Sequence, residues 1–246
     1  MDDTQKESTE KKETLGHHSS VQAGSSSSFP FFIALGVVAL LLVAIFLIPR
    51  FFADEGPKTL SQLHEETLEE NIDTETQYAY NGYSFVYYDG LWYTQIYNQV
   101  TGDLYDVPLH FGPKNVTDIV ITGDMNDFFS SLGENNISNY TLQTYLTFNP
   151  NDPQLGYVAL ATGELTQNLA RTLGIAFIPA CTESGPGCDN VPIVTCENAT
   201  APVIYLTSGE PTLVYASGNC IMIQGEGFEI VRAVDRLLLK LYNIMI

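Results

Sequence analysis

Across 246 residues the chain carries 29 Asp and Glu against 10 Lys and Arg, a formal net charge of −19 at neutral pH. That balance excludes a nucleic-acid partner, because neutralising phosphates needs clustered Lys and Arg. It suits an acidic surface outside the cell.

Residues 1–28 are poor in apolar side chains and rich in Ser, Lys and Glu, and read as a disordered polar tail. Residues 29–49 follow as 21 positions without a charge, ended by Arg50. Ser28 and Pro30 suit a helix start, and Pro49 with Arg50 an exit. The 19 residues 30–48 rise about 28 Å at ~1.5 Å each, close to a hydrocarbon core. The run predicts a transmembrane helix whose partner is the lipid bilayer. No small-x-small site follows it, so it reads as an uncleaved signal anchor. Lys11 and Lys12 on one side balance Arg50 and Lys58 on the other, which leaves orientation to other features.

Residues 50–78 form an acidic stalk. Thr59 and Gln62 make a capping-box pattern, with Leu60, Leu63, Thr67 and Leu68 on one face, so a short helix is expected within a solvated spacer.

Residues 79–246 are expected to form an extracytoplasmic α+β domain, long enough to bury a core. It opens as an aromatic β-meander, with strands at 83–88, 91–97 and 104–109 and a hairpin turn at Asp89-Gly90. A strand at 118–121, a short helix at 125–132 and a strand at 142–148 follow. Asp152-Pro153 then starts an amphipathic helix on Leu155, Val158, Leu165, Leu169 and Leu173, ended by Gly174. Its opposite face carries Glu164, Gln167 and Arg171. Short strands are expected at 193–196, 203–206, 212–215 and 221–224. A last helix turns Ile230, Val231, Val234, Leu237, Leu238 and Leu241 inward.

Four cysteines, Cys181, Cys188, Cys196 and Cys220, lack the close knuckles of a zinc site, so no metal is expected. Of three pairings, Cys181 with Cys188 and Cys196 with Cys220 is preferred. Ser184-Gly185-Pro186-Gly187 turns the first loop, and the second bridge would tie neighbouring strands. The loops closed are worth about 2.5 and 3.5 kcal/mol by chain entropy. Four sequons, Asn115, Asn136, Asn139 and Asn198, are candidates for N-glycosylation. Cysteines and sequons together favour an N-terminus inside and the C-terminal domain outside.

Catalytic signals are sparse. His110 is the only histidine in 79–246, and no G-x-S-x-G elbow accompanies it. Glu164 and Arg171 read as a solvated helix face rather than an acid–base pair. Gly225-Glu226-Gly227 lacks the third glycine of a dinucleotide loop, and Asp124, Asn126 and Asp127 meet Phe128 where a calcium loop needs a ligand. No cofactor is expected. By contrast, eight of the 14 tyrosines and the only tryptophan fall between Tyr78 and Tyr105. Alternation puts aromatics on both sides of the hairpin, and cross-strand pairing accounts for such rings structurally; some of Tyr83, Tyr87, Tyr88, Trp92, Tyr93 and Tyr97, exposed side by side, would make a platform for an envelope protein or a glycan.

The segments Gly90-Leu91-Trp92-Tyr93-Thr94, Val194-Thr195-Cys196-Glu197-Asn198, Gly218-Asn219-Cys220-Ile221 and Arg232-Ala233-Val234-Asp235-Arg236-Leu237-Leu238 are similar to uncharacterised single-pass membrane proteins of small-genome archaea. The resemblance implies an extracytoplasmic domain and carries no catalytic residue. The expected function is a membrane-anchored binding or envelope structural module. The alternative is an extracytoplasmic hydrolase using carboxylates such as Glu164 or Asp235.

Overall fold

The computed structural model describes residues 29–51, 56–98, 101–134 and 142–246. The polar tail and the sequons Asn136 and Asn139 lie outside the described residues. The chain divides into two units, Met1–Gly56 and Pro57–Ile246.

In the first unit, helix α1 (Phe29–Phe51) spans 23 residues. Its side chains are described over residues 32–47, 16 positions, and among the described residues no helix is long and apolar enough to cross a membrane. The apolar run of the sequence, 29–49, extends beyond that window at both ends.

The second unit is mixed α+β. It starts at Pro57 and not near Tyr78, because helix α2 (Leu60–Glu69) is docked and is no solvated spacer. The Thr59–Gln62 capping box is formed, and His64 and Thr67 are buried where α2 packs on strands β1 (Gln77–Tyr80) and β2 (Tyr83–Tyr88). Val86 beneath it is 1% exposed, a burial worth roughly 2 kcal/mol. Acidic residues made this stretch read as a spacer, yet they occupy only the outer face of α2.

With β3 (Leu91–Tyr97) and β4 (Leu104–Leu109), these strands form an antiparallel meander in sequence order. Two-residue turns join the first three. Asn81-Gly82 and Asp89-Gly90 all adopt positive φ, which matches the twist of tight hairpins. The first of these turns is the sequence signal for β1, which the pattern of strands alone did not reveal.

A 3-10 turn (Pro113–Asn115) leads into a second sheet built from β5 (Val120–Gly123), β6 (Leu142–Phe148), β7 (Ile175–Cys181), β8 (Val203–Thr207), β9 (Leu213–Ser217) and β10 (Cys220–Gln224). The order is β5-β9-β10-β8-β6-β7. β10, β8, β6 and β7 are mutually parallel, and β9 runs antiparallel to β10. Helix α3 (Asn126–Glu134) packs on β6 and β9. β6, helix α4 (Leu155–Leu173) and β7 make a parallel crossover that no strand expectation anticipated. Pro179 argues against a central strand, and β7 is the edge strand where proline is tolerated. The strand expected at 118–121 forms two residues later. The one expected at 193–196 is reduced to a bridge between Ile193 and Cys181, because only the Pro192 carbonyl and the Val194 amide reach the Cys181 backbone.

Helix α5 (Glu229–Leu241) packs on α4 and touches β9 and β10, while α4 touches β4 of the first sheet and β7 and β8 of the second. The two helices thus form a layer between the sheets. For that reason α5 buries more than one apolar stripe: Ala233, Asp235, Arg236 and Leu239 are buried beside the expected face. Gly225 lets α5 start hard against the end of β10, since a Cβ there would collide with the Ile230 backbone. The first sheet is tied to this layer by side chains. The Asn168 amide donates to the Pro108 carbonyl at 2.9 Å, the Tyr83 hydroxyl to the Tyr242 carbonyl at 3.3 Å, and the Asn81 amide to the Ile244 carbonyl at 2.8 Å.

Two disulfides are present, Cys181–Cys188 and Cys196–Cys220, with Cα separations of 6.1 and 5.4 Å. The second joins β10 to a loop and not to a neighbouring strand, since Cys196 lies outside any strand.

Candidate functional sites

The meander does not gather the six aromatic residues on one surface. In the register of β2 and β3, Tyr87 faces Trp92, Val86 faces Tyr93 and Tyr88 faces Leu91. Alternation therefore puts Tyr83, Tyr87 and Trp92 on the face that also carries the buried Phe85 and Ile96. Tyr88, Tyr93 and Tyr97 share the α2 face with Ser84 and Val86. Tyr88 and Tyr97 are 59% and 60% exposed but stand at opposite ends of the strands. The six residues fall into two separate groups, as alternation along the strands requires, because a pleated strand sends consecutive side chains to opposite faces.

One contiguous ledge survives at the margin of the inner face. Tyr87, 43% exposed, lies 5.2 Å from half-buried Trp92 between ring centres. Trp92 in turn meets Tyr78 edge-on at 4.9 Å, and Tyr78 stacks on Phe85 at 5.5 Å. The Lys114 ammonium sits 4.1 Å from the Tyr78 ring centre and 2.5 Å from Asp73. Beside this ledge runs an open groove of about 440 Å³, lined by Asp73, Thr74, Glu75, Trp92, Lys114 and Asn115 in addition to Tyr78.

A second site lies where β4 ends against the helix layer. The His110 ring nitrogen Nδ1 is 2.6 Å from Glu164 Oε2, and the His110 backbone N–H donates to Glu164 Oε1 at 2.9 Å. The next amide, that of Phe111, donates to Asp235 Oδ2 at 2.7 Å. Asp235 is fully buried and Oδ1 has no hydrogen-bond partner; the Glu164 side chain is 6% exposed. Burial first, then the charge of adjacent Glu164, push the Asp235 carboxyl well above the usual carboxylate range. Glu164 is thus no part of a solvated helix face, and its partner is His110 and not Arg171, whose carbonyl accepts from the Asn98 side chain. The adjoining pocket, about 320 Å³, is walled by Leu91, Pro108, Ala159, Leu160 and Gly163, with the amides of Gln167 and Asn168. The Phe228 ring stands 6.4 Å from the His110 ring.

His64, which the spacer reading overlooked, is 1% exposed. Its Nδ1 bonds the Ser84 hydroxyl at 2.7 Å, while Asp106 is 3.9 Å from Nε2, beyond hydrogen-bond distance. Burial lowers its pKa below the ordinary value more than the Asp106 charge raises it.

Other residues singled out by sequence have structural work. Asp124 accepts from the Asn126 amide at 2.9 Å and so caps α3. Asp152 does not cap α4, whose N-cap is Gln154 without a side-chain cap bond; it closes the turn before the helix by accepting from the Gln154 amide at 2.8 Å, and it accepts from the Ser208 hydroxyl at 2.6 Å. Asn115 and Asn198 are exposed, and the Asn198 side chain closes a turn by accepting from the Thr195 amide at 2.8 Å. Among the described residues no group of three or more His, Cys, Asp or Glu is arranged to hold a metal ion.

No protein-family model, no curated protein and no solved structure matches this chain.

Proposed function

We propose that this chain is a membrane-tethered protein, N-terminus inside, whose outward domain binds a polyhydroxylated ligand such as an envelope glycan at the Tyr87–Trp92 ledge. The observation that carries the reading is the ledge itself: an exposed ring and a half-buried indole beside a groove of carboxylate, hydroxyl, ammonium and amide groups. Sugars present C–H faces that stack on aromatic rings and hydroxyls that such groups bind. The charge-free run at 29–49 supports the tether, and two disulfides support an oxidising compartment.

Trp92 is the only tryptophan, so its emission reports the ledge directly. Titrating the full-length chain in detergent micelles with polysaccharide extracted from the cell envelope is expected to shift that emission saturably, and Tyr87→Ala is expected to abolish the shift. An unchanged spectrum at millimolar sugar would remove the glycan reading. For the tether, protease added to intact cells is expected to digest the chain beyond the helix and spare the tail; full protection of residues 57–246 would reverse the orientation.

A further inference from the structure

The ledge leaves the His110 site unexplained, and that site has a chemistry of its own. Glu164 holds the imidazole through Nδ1, while Nε2 makes no hydrogen bond among the described residues. A ring anchored in this way presents the Nε2 lone pair when Nδ1 carries the proton, which is the tautomer a nearby carboxylate selects. Glu164 also grips the backbone of the same residue, so ring and main chain are positioned together.

Asp235 lies beside Glu164 in the buried layer. Two ionised carboxylates in contact repel, and Asp235 Oδ1 as an anion would be an orphaned acceptor in the core. A proton on Oδ1, donated toward Glu164, removes both problems at once. Glu164 is the member of the pair that meets His110. The pocket beside it has mainly aliphatic walls and no Lys or Arg among its lining residues. Gln167, one turn from Glu164 on α4, lines the same pocket, and its side-chain amide makes no hydrogen bond among the described residues.

We propose that His110 is the general base of a hydrolytic site for small uncharged esters, with Glu164 as its positioning residue and Gln167 as the donor to the ester carbonyl. In the step, Nε2 takes a proton from water as the water oxygen bonds to the carbonyl carbon. The adduct collapses with cleavage of the carbon–oxygen bond to the leaving group, and the leaving oxygen takes the proton back from Nε2. Water is the sole co-reactant, and the products are a carboxylic acid and an alcohol. The aliphatic walls suit the acyl part, and the carboxylates around His110 disfavour an anionic substrate.

The test uses the full-length chain in detergent micelles with p-nitrophenyl acetate, in a His17→Gln, His18→Gln background that removes the reactive imidazoles of the tail. Hydrolysis above the micelle blank is expected, falling at least tenfold in His110→Gln. Glu164→Gln is expected to lower kcat about tenfold with KM little changed, and Gln167→Ala to lower kcat/KM severalfold. Where His110→Gln does not fold, diethyl pyrocarbonate decides: loss of activity should track carbethoxylation of His110 mapped by peptide mass. A wild-type rate equal to the blank overturns the proposal. So does full activity in folded His110→Gln, full activity with His110 completely modified, or an unchanged kcat in Glu164→Gln.

Discussion

His64 and His110 both stand against the first sheet with a carboxylate near the ring, and they are put to opposite uses. His64 is sealed beneath α2, bonded to a neutral hydroxyl, with Asp106 too far to hold a proton on it. Its ring docks a helix. His110 keeps 30% of its side chain exposed, is gripped by a buried carboxylate at 2.6 Å, and opens on a pocket. What separates a packing histidine from a reactive one is therefore not the presence of an acid nearby but its distance, its burial and the solvent access left to the other nitrogen.

Removing each acid should give the widest contrast. Glu164→Leu leaves the His110 amide and ring without an acceptor in a buried place and is expected to cost about 3 kcal/mol in urea unfolding. Asp106→Ala should cost within about 0.5 kcal/mol, because Asp106 is 41% exposed and 3.9 Å from the ring. Similar losses in the two variants would erase the distinction.

Asp235 sharpens the contrast through pH. Its folded pKa is raised above the unfolded value, so the folded state holds the extra proton. The stability it contributes is fully present below the ordinary value of 3.8 and is lost as pH rises through the folded pKa. Asp235→Asn mimics the protonated acid. Its stability relative to wild type should therefore climb between pH 4 and pH 8, by about 1 kcal/mol or more. A difference that stays flat across that range would mean that Asp235 never holds the proton.

His64 has the opposite sign. Its folded pKa is depressed, so stability is present above the ordinary value of 6.5 and is lost as pH falls below it toward the folded value. His64→Phe should flatten that acid limb. The hydrogen-exchange protection of α2, taken relative to the intrinsic rate at each pH, should fall at pH 5 in the wild type before that of the helix layer. Uniform exchange across the unit would show that α2 is not a separate dock.

The smallest effects belong to the outer aromatics. Tyr88→Ala and Tyr97→Ala, on exposed rings, should each change stability by no more than about 0.5 kcal/mol and leave Trp92 emission unaltered. A change in emission would join the two faces that the strand register separates.

How far these sites could be read from sequence differs between them. The disulfide pairing followed from short loops and turn residues, and the meander from alternation and a hairpin dipeptide. Asp235 was less legible: Val231, Leu238 and Leu239 one helical turn away are apolar, but Arg232 at the same spacing is charged, so the helix pattern alone left its burial open. Its partner was not legible at all. His110 and Glu164 are 54 residues apart, and Glu164 sits on the polar side of its helix by periodicity. Only the docking of β4 on α4 brings them together. The same holds for His64 and Ser84, 20 residues apart on elements that sequence placed in a stalk and a domain.

By itself, then, the sequence determined the charge-free run, the mixed class, the cysteine loops, the turns and most strands and helices. Each of these rests on local periodicity, loop length or backbone preference, which a chain carries before it folds. Tertiary structure alone decided that α2 belongs to the folded unit, that Trp92 meets Tyr78 and lines a groove with Lys114, and that a histidine and two acids converge. Those outcomes depend on which faces meet, and contacts between distant segments leave no period in the sequence.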